Sequence, residues 1–297
     1  MLSHFENQYN LKGRLITETG LHIGRGGNLV VAASDNPVIK DSRGWPYIPG
    51  SSFKGALRSR VEAMVRALSK ENERGIWSCD PLEEPCVDAK KMREWRDAQK
   101  SGKELADLVQ ESSCTICRLF GSPWLASRVK ISDLYLNPTN KPNRGEATIE
   151  SERWFGRIEV RAGVAINRDT ETAEDKRLYD YEVVPGETSF FLNIRVDNCS
   201  DEELGLLMLG LREFERGMAW IGGIRSRGLG RVKIVWDEIE EVRGREGLIQ
   251  YLKNGYGTRL TGREAINRFV QEKIRNFLST LGEKSEVNHA EETAQSS

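Results

Sequence analysis

The sequence predicts an α+β fold, and three observations predict it. Strand-like stretches of alternating apolar and polar residues recur along the chain, at 11–20, 127–136, 188–196 and 230–236. Two longer stretches, after residue 50 and after residue 200, carry helix-start signals and helical apolar spacing instead. Their order, strand, helix, strand, hairpin, strand, helix, strand, is that of a ferredoxin-like core with insertions.

The first strand lies in "LKGRLITETGLHIG" and runs into a glycine-containing loop. Beyond the turn made by Pro46 and Pro49, the hydroxyl of Ser51 or Ser52 can cap a helix from about 53 to 70 by accepting from a free backbone N–H. Residues 71–117 read as a charged, cysteine-bearing insertion with little apolar core of its own. "SRVKISDLYL" is the second strand, with Val129, Ile131 and Leu134 as its apolar positions. "RIEVRAGVAINR" and "RLYDYEVV" form two arms of a long hairpin whose tip is "DTETAEDK". "TSFFLNIRV" follows as a core strand. Ser200 and Glu203 then form a capping box, opening a helix whose Leu204, Leu207, Met208, Leu211, Phe214 and Met218 make an apolar stripe for the core. "GRVKIVW" closes the pattern, and a helix near 262–281 packs outside it. One elaborated domain is therefore expected over 1–236, then a helical extension over 237–281. The polar residues 282–297 form a tail with too little apolar surface to order.

At 38% hydrophobic and 30% charged, the 297 residues describe a globular protein with a full core. No run approaches the roughly 18 apolar residues of a membrane span, and the first ten residues lack a signal-peptide pattern, so a cytoplasmic location and no membrane partner are expected. The formal net charge of -1 conceals uneven placement. Lys54, Arg58, Arg60, Arg66 and Lys70 face a single acid, Glu62, over residues 51–70, and "GGIRSRGLGR" adds Arg225, Arg227 and Arg231 with none. Such patches suit a polyanion; charge runs also serve as solvated surface.

Four cysteines, Cys79, Cys86, Cys114 and Cys117, lie in the insertion, while Cys199 stands apart. The pair in "CTIC" can direct two thiolates at one ion and Cys79 and Cys86 can supply two more, a tetrahedral set for a structural Zn²⁺. A redox CxxC and ordinary buried thiols are the alternatives. Four thiolates would leave no open position for water, so a catalytic zinc is not expected.

Two elements fit an anion. "IPGSSFKGALRSR" places Ser51, Ser52 and Lys54 at a helix N-terminus, with Lys54 and Arg58 four apart on one face. "WIGGIRSRGLGRV" offers glycines for close backbone approach and arginines with forked donors for phosphate. Taken alone it equally fits a tight helix–strand connection.

Together with "LHIG", "DNPVIKD", "CRLFGS", "SRVKISDLYL" and "YEVVPGETSF", these motifs resemble the RAMP superfamily, and more narrowly the repeated backbone subunit of type III CRISPR effector complexes, over about residues 10–236. The resemblance implies an RRM-like core that binds guide RNA beside other effector subunits and pairs it with a single-stranded target RNA. It implies guide contacts from the helix with Ser51, Ser52, Lys54, Arg58 and Arg60, and from the loop with Gly222, Gly223, Arg225, Arg227, Gly228 and Arg231. The hairpin, about 158–186, would be a thumb that wedges into the duplex, and the cysteine insertion a zinc-bearing one. Asp35 resembles the aspartate with which such subunits cut target RNA, where a carboxylate holds Mg²⁺ or helps to deprotonate a 2′-OH. His22 is close enough in sequence to assist. Asp41, before a Ser-Arg-Gly turn, is expected to cap that turn. Some subunits of this kind keep the fold without cutting, so a purely structural RNA-binding role is the alternative.

Overall fold

Alternation along Asn7–Thr17 makes the central strand. In β1 (Asn7–Thr17), Tyr9, Leu11 and Leu15 are buried on one face, and Lys12 and Arg14 stand on the other. The computed structural model describes residues 4–24, 34–68, 76–98, 102–137, 158–166 and 173–295. Lys70, the loop at 25–33 and part of the hairpin tip lie outside these residues.

The strands that follow are β2 (Tyr47–Ile48), β3 (Val129–Ile131), β4 (Leu134–Tyr135), β5 (Glu159–Ile166), β6 (Ala173–Val183), β7 (Ser189–Asp197), β8 (Val232–Arg243) and β9 (Thr258–Thr261). The helices are α1 (Gly50–Leu68), α2 (Ala89–Asp97), α3 (Gly102–Ser112), α4 (Thr115–Phe120), α5 (Asp201–Glu215), α6 (Gly244–Asn254) and α7 (Arg263–Gln295). Five strands form an antiparallel sheet in the order β3-β7-β1-β8-β9. Alternate residues of β7 (Phe190, Leu192, Ile194, Val196) and Val232, Ile234 and Ile239 of β8 join β1's buried face in one core with α1, α5 and α7. Phe53 of α1 meets Phe214 of α5 with ring centroids 5.0 Å apart. The fold is thus mixed α and β around an antiparallel sheet, as the alternation and helical spacing require.

The differences from expectation are local. The second strand is two, β3 and β4, in separate sheets. Ser132 and Asp133 break it, and the Asp133 carboxylate accepts from the N–H of Gly50 at 2.8 Å. The capping box is formed by both bonds, Glu203 N–H to Ser200 Oγ at 3.1 Å and Ser200 N–H to Glu203 Oε2 at 3.0 Å. Leu204 through Phe214 of the stripe are buried, but α5 ends at Glu215, so Met218 leaves the stripe and is 63% exposed. The hairpin pairs as expected, Glu159 opposite Val183 and Gly163 opposite Tyr179, with Ala173–Lys176 already inside β6 rather than in its tip. β9 and the insertion's helices α2, α3 and α4 were not anticipated, α6 falls within the expected helical extension, and α7 runs past residue 281 to Gln295. No helix among the described residues is long and apolar enough to cross a membrane.

Candidate nucleic-acid interface and metal centre

α1 begins earlier than its serines suggest. Gly50 enters the helix because its position leaves no room for a side chain: a Cβ would lie 2.3 Å from Ile131 O. Ser52 N–H and Phe53 N–H both turn back to Pro49 O, at 2.9 and 3.2 Å. Ser51 and Ser52 therefore sit in the first turn and do not cap it; the cap comes from Asp133, a residue distant in sequence. Ser51 is exposed and Ser52 half-buried.

The basic side chains of α1 divide between inside and outside. Lys54 Nζ donates to Ser127 Oγ at 2.7 Å, and burial, with Arg58 adding repulsion, holds its ammonium below the usual lysine range. Arg58 turns inward, donating to Glu62 Oε1 at 2.8 Å, Gly121 O at 3.0 Å and Cys117 Sγ at 3.8 Å. Arg60 points outward and pairs with Glu213 at 2.5 Å, with nearly half its side chain exposed.

The glycine-arginine loop meets this helix in space. Gly222 has φ +80° and a Cβ there would fall 2.4 Å from His22 O, so only glycine lets the loop lie against the end of the first loop and bond Gly223 N–H to His22 O at 2.9 Å. An open groove of about 710 Å³ runs between the helix and the loop, lined by Ser52, Ser59 and Arg60 on one side and Met218, Trp220 and Arg225 on the other. Arg225 is exposed with no partner among the described residues. Arg227 bonds the hydroxyl of Tyr179, and Arg231 pairs with Glu18 at 2.8 Å and donates to Gly217 O at 3.1 Å. Gly228, at φ +88°, closes the one-turn helix at Arg225–Arg227.

Asp35 lies at the base of the hairpin. Its Oδ2 accepts from Asp180 N–H at 3.0 Å, and Asn36 forms a bridge with Tyr181 in β6. Asp35 is exposed, and its other oxygen has no partner among the described residues. Glu182 gathers the neighbouring loops: its carboxylate accepts from Val38 N–H at 3.0 Å and pairs with Lys40 at 2.9 Å, while its carbonyl accepts from His22 Nδ1 at 2.7 Å. Because a carbonyl oxygen only accepts, that bond places a proton on Nδ1. His22 is buried and meets the Tyr181 ring edge-on, with centroids 6.1 Å apart. Asp41 caps its own turn, accepting from Arg43 N–H and Trp45 N–H at 2.9 Å each.

The four insertion cysteines converge. All are buried, and their sulfurs lie within 4.8 Å of one another, a donor set able to hold a metal ion such as zinc. Cys79 Sγ is 3.6 Å from Cys117 Sγ and 3.7 Å from Cys114 Sγ. Cys114 is drawn down to about 5 chiefly by the hydrogen bond from Cys117, whose own thiol the same bond pushes up. Cys199 lies elsewhere in the core, near Asn7. The insertion does have an apolar cluster, but a small one, with Val87, Met92 and Val109 buried.

Sequence reasoning missed the aromatic content of this surface. Tyr179 and Tyr181, with centroids 6.1 Å apart, join Ile224 and Leu229 against the loop. The alternation in "YDY" was the available signal, since residues two apart on a strand share a face.

The sequence model of the RAMP superfamily matches residues 14–233. The chain is 28% identical over 280 residues to a protein of Methanothermobacter thermautotrophicus named CRISPR system Cms endoribonuclease Csm3, covering 87% of this chain and 94% of that protein. It is 29% identical over 239 residues to the protein of the same name in Methanocaldococcus jannaschii, covering 75% and 77%. A shorter likeness, 37% over 97 residues, covers 32% of this chain and 25% of the CRISPR system Cms protein Csm5 of Streptococcus thermophilus.

Proposed function

The chain belongs to the RAMP superfamily, and on that footing we propose that it is a guide-RNA-binding backbone subunit of a type III CRISPR effector complex that cuts complementary target RNA at regular intervals. The relatives named Csm3 endoribonucleases support the activity, and the likeness to a Csm5 protein supports partnership with other subunits. The observation that carries the reading is the groove, where two basic elements about 165 residues apart in sequence face each other. A phosphate run laid in it would meet Ser52, Arg60 and Arg225, with the backbone of Gly222 beneath and Ser51, Gly223, Arg227, Gly228 and Arg231 at its margin. Lys54 and Arg58 would act from behind, since both are held inward.

The strand order β3-β7-β1-β8, with α1 and α5 as crossovers, supports a ferredoxin-like, RRM-like core over the family match, with 237–281 as an extension of it. The β5–β6 hairpin would serve as the thumb, and the exposed Val160 is an apolar group it could insert between bases. A zinc tetrathiolate, with Zn–S near 2.3 Å, has sulfurs about 3.8 Å apart, which the Cys79 spacings to Cys114 and Cys117 match closely.

Cutting would proceed at Asp35. A target nucleotide unstacked beside the hairpin can align its 2′-OH with the adjacent phosphorus. The outward carboxylate oxygen of Asp35 takes the 2′-OH proton, the 2′-oxygen bonds to phosphorus, and the bond to the 5′-oxygen breaks, with that oxygen picking up a proton. The products are a 2′,3′-cyclic phosphate and a 5′-hydroxyl. Mg²⁺ bound at Asp35 would supply positive charge for the crowded phosphate. His22, buried and fixed through Nδ1, would position the loop rather than reach the RNA. The structural bond from Asp180 N–H to Asp35 favours the second reading, a subunit of the same complex in which Asp35 only fastens the loop.

The test is a complex reconstituted with guide RNA and an end-labelled complementary RNA, comparing wild type with Asp35→Ala in Mg²⁺ and in EDTA. Regularly spaced cuts whose rate falls at least about 100-fold in the variant, with assembly unchanged, are expected. Equal cutting in both, or none in either, would leave the scaffold reading.

A further inference from the structure

Three cations from two helices turn toward the four cysteines. Arg58 donates to Cys117 Sγ at 3.8 Å, Arg66 donates to Cys79 O at 3.1 Å, and Lys91 donates to Cys86 O at 2.9 Å. Among the described residues, Arg58 is the cation bonded to a sulfur. Two of its other donors bond Glu62 and Gly121 O, just beyond the end of α4, and these bonds hold the guanidinium inward.

Four thiolates around a dication leave two net negative charges in a buried place, and a buried net charge is costly unless opposite charge and hydrogen bonds surround it. We infer that Arg58 is a positioning residue of the metal centre. Its N–H···S bond and its charge offset the anionic cluster, and its fork fixes α1 against the turn that carries Cys114 and Cys117. The inference rests on the zinc reading above. It also explains why an arginine in a basic helix faces inward. One side of α1 serves the metal, while Ser52, Ser59 and Arg60 on another side line the groove.

The experiment uses the purified full chain as wild type, Arg58→Met, Arg58→Lys and Val61→Ala. Zinc content, the rate of zinc transfer to a chromogenic chelator, and the thiolate-to-cobalt charge-transfer band of the Co²⁺-substituted protein are measured. Arg58→Met should load zinc but surrender it about 10- to 100-fold faster, with a shifted cobalt band. Arg58→Lys should fall between, since lysine keeps the charge but lacks the planar fork. Val61→Ala opens a cavity where the same helix packs on Gly210 of α5, and should weaken the fold while keeping the wild-type transfer rate and band. An unchanged rate and band in Arg58→Met, or equal acceleration in Val61→Ala, would overturn the inference. Wild-type protein with less than about half an equivalent of zinc would overturn it one step earlier, together with the zinc reading.

Discussion

The lobe at residues 76–112 and the layer formed by β1, β7, β8, α5 and α7 differ in how much apolar core they share. In the layer, Leu11, Leu15, Phe190, Ile194, Leu204, Leu207 and Phe277 are all buried in one continuous core. In the lobe, α2 and α3 close on Val87, Met92 and Val109, with Trp95, Leu105, Trp124 and Leu125 partly buried around them. Ile76, Cys79 and Cys86, at the start of the lobe, join the main core instead. Cys114 caps α4 and Cys117 lies within it, beside Ile116, Leu119 and Phe120 of the main core, while Cys79 and Cys86 precede α2. A metal held there would join the small α2–α3 cluster more firmly to the main core. Burial spreads stability over many contacts, whereas a metal concentrates it in four.

The largest expected effect breaks the lobe alone. Stripping zinc with a chelator, or the change Cys114→Ser, should cost several kcal/mol, toward the roughly 10 kcal/mol of small zinc domains. Amide exchange should rise across 76–112 while β1 and β7 stay protected. Uniform loss of protection would mean that the two regions fold as one unit. A smaller effect tests the layer. A Cβ at Gly205 would sit 2.3 Å from Lys273 O and 2.6 Å from Phe277 Cβ, so Gly205→Ala should push α5 and α7 apart at about 1–3 kcal/mol. A denaturant midpoint lowered with zinc content unchanged would sharpen the contrast, and zinc loss in this variant would blur it.

The smallest effect is electrostatic. Asp201, at the start of α5, is gripped by both Arg243 nitrogens at 3.0 and 2.8 Å and by Lys273 at 3.1 Å. The Arg243 bonds, with Lys273 adding to them against partial burial, hold its carboxyl down at about 2. A carboxyl lowered on folding adds stability above its unfolded value near 4, and that share is lost as pH falls toward 2. Asp201 is 44% exposed, so the share is small. In Asp201→Asn the gap between urea midpoints at pH 5 and pH 2.5 should narrow slightly. An equal gap would assign the α5–α7 contact to burial alone.

Local chemistry was the legible part of the chain. Ser200 and Glu203 announced the start of α5 because a capping box is complete within four residues. The apolar spacing from Leu204 to Phe214 fixed its buried face, and the CxxC pair with two earlier cysteines pointed to the four thiols that converge as a group able to hold a metal. Met218 was misread because periodicity continues past the point where Gly217, at φ +66°, turns the backbone out of the helix. Ser51 and Ser52 were misread because the acceptor that caps α1 is Asp133, which no local pattern connects to Gly50.

The sequence by itself determined the types of the main core elements β1, α1, β7, α5 and β8, most of the core face of α5 and the residues able to hold a metal, since these follow from periodicity, capping and ligand type within short windows. The tertiary structure alone decided what each charge does. Arg58, Arg60 and Arg225 look equivalent in a row of basic residues, yet one lies against Cys117, one pairs with Glu213, and one stands open at the groove. Their partners come from elements many residues away, and an ionic side chain takes its role from the dielectric and the counter-charges that folding brings to it.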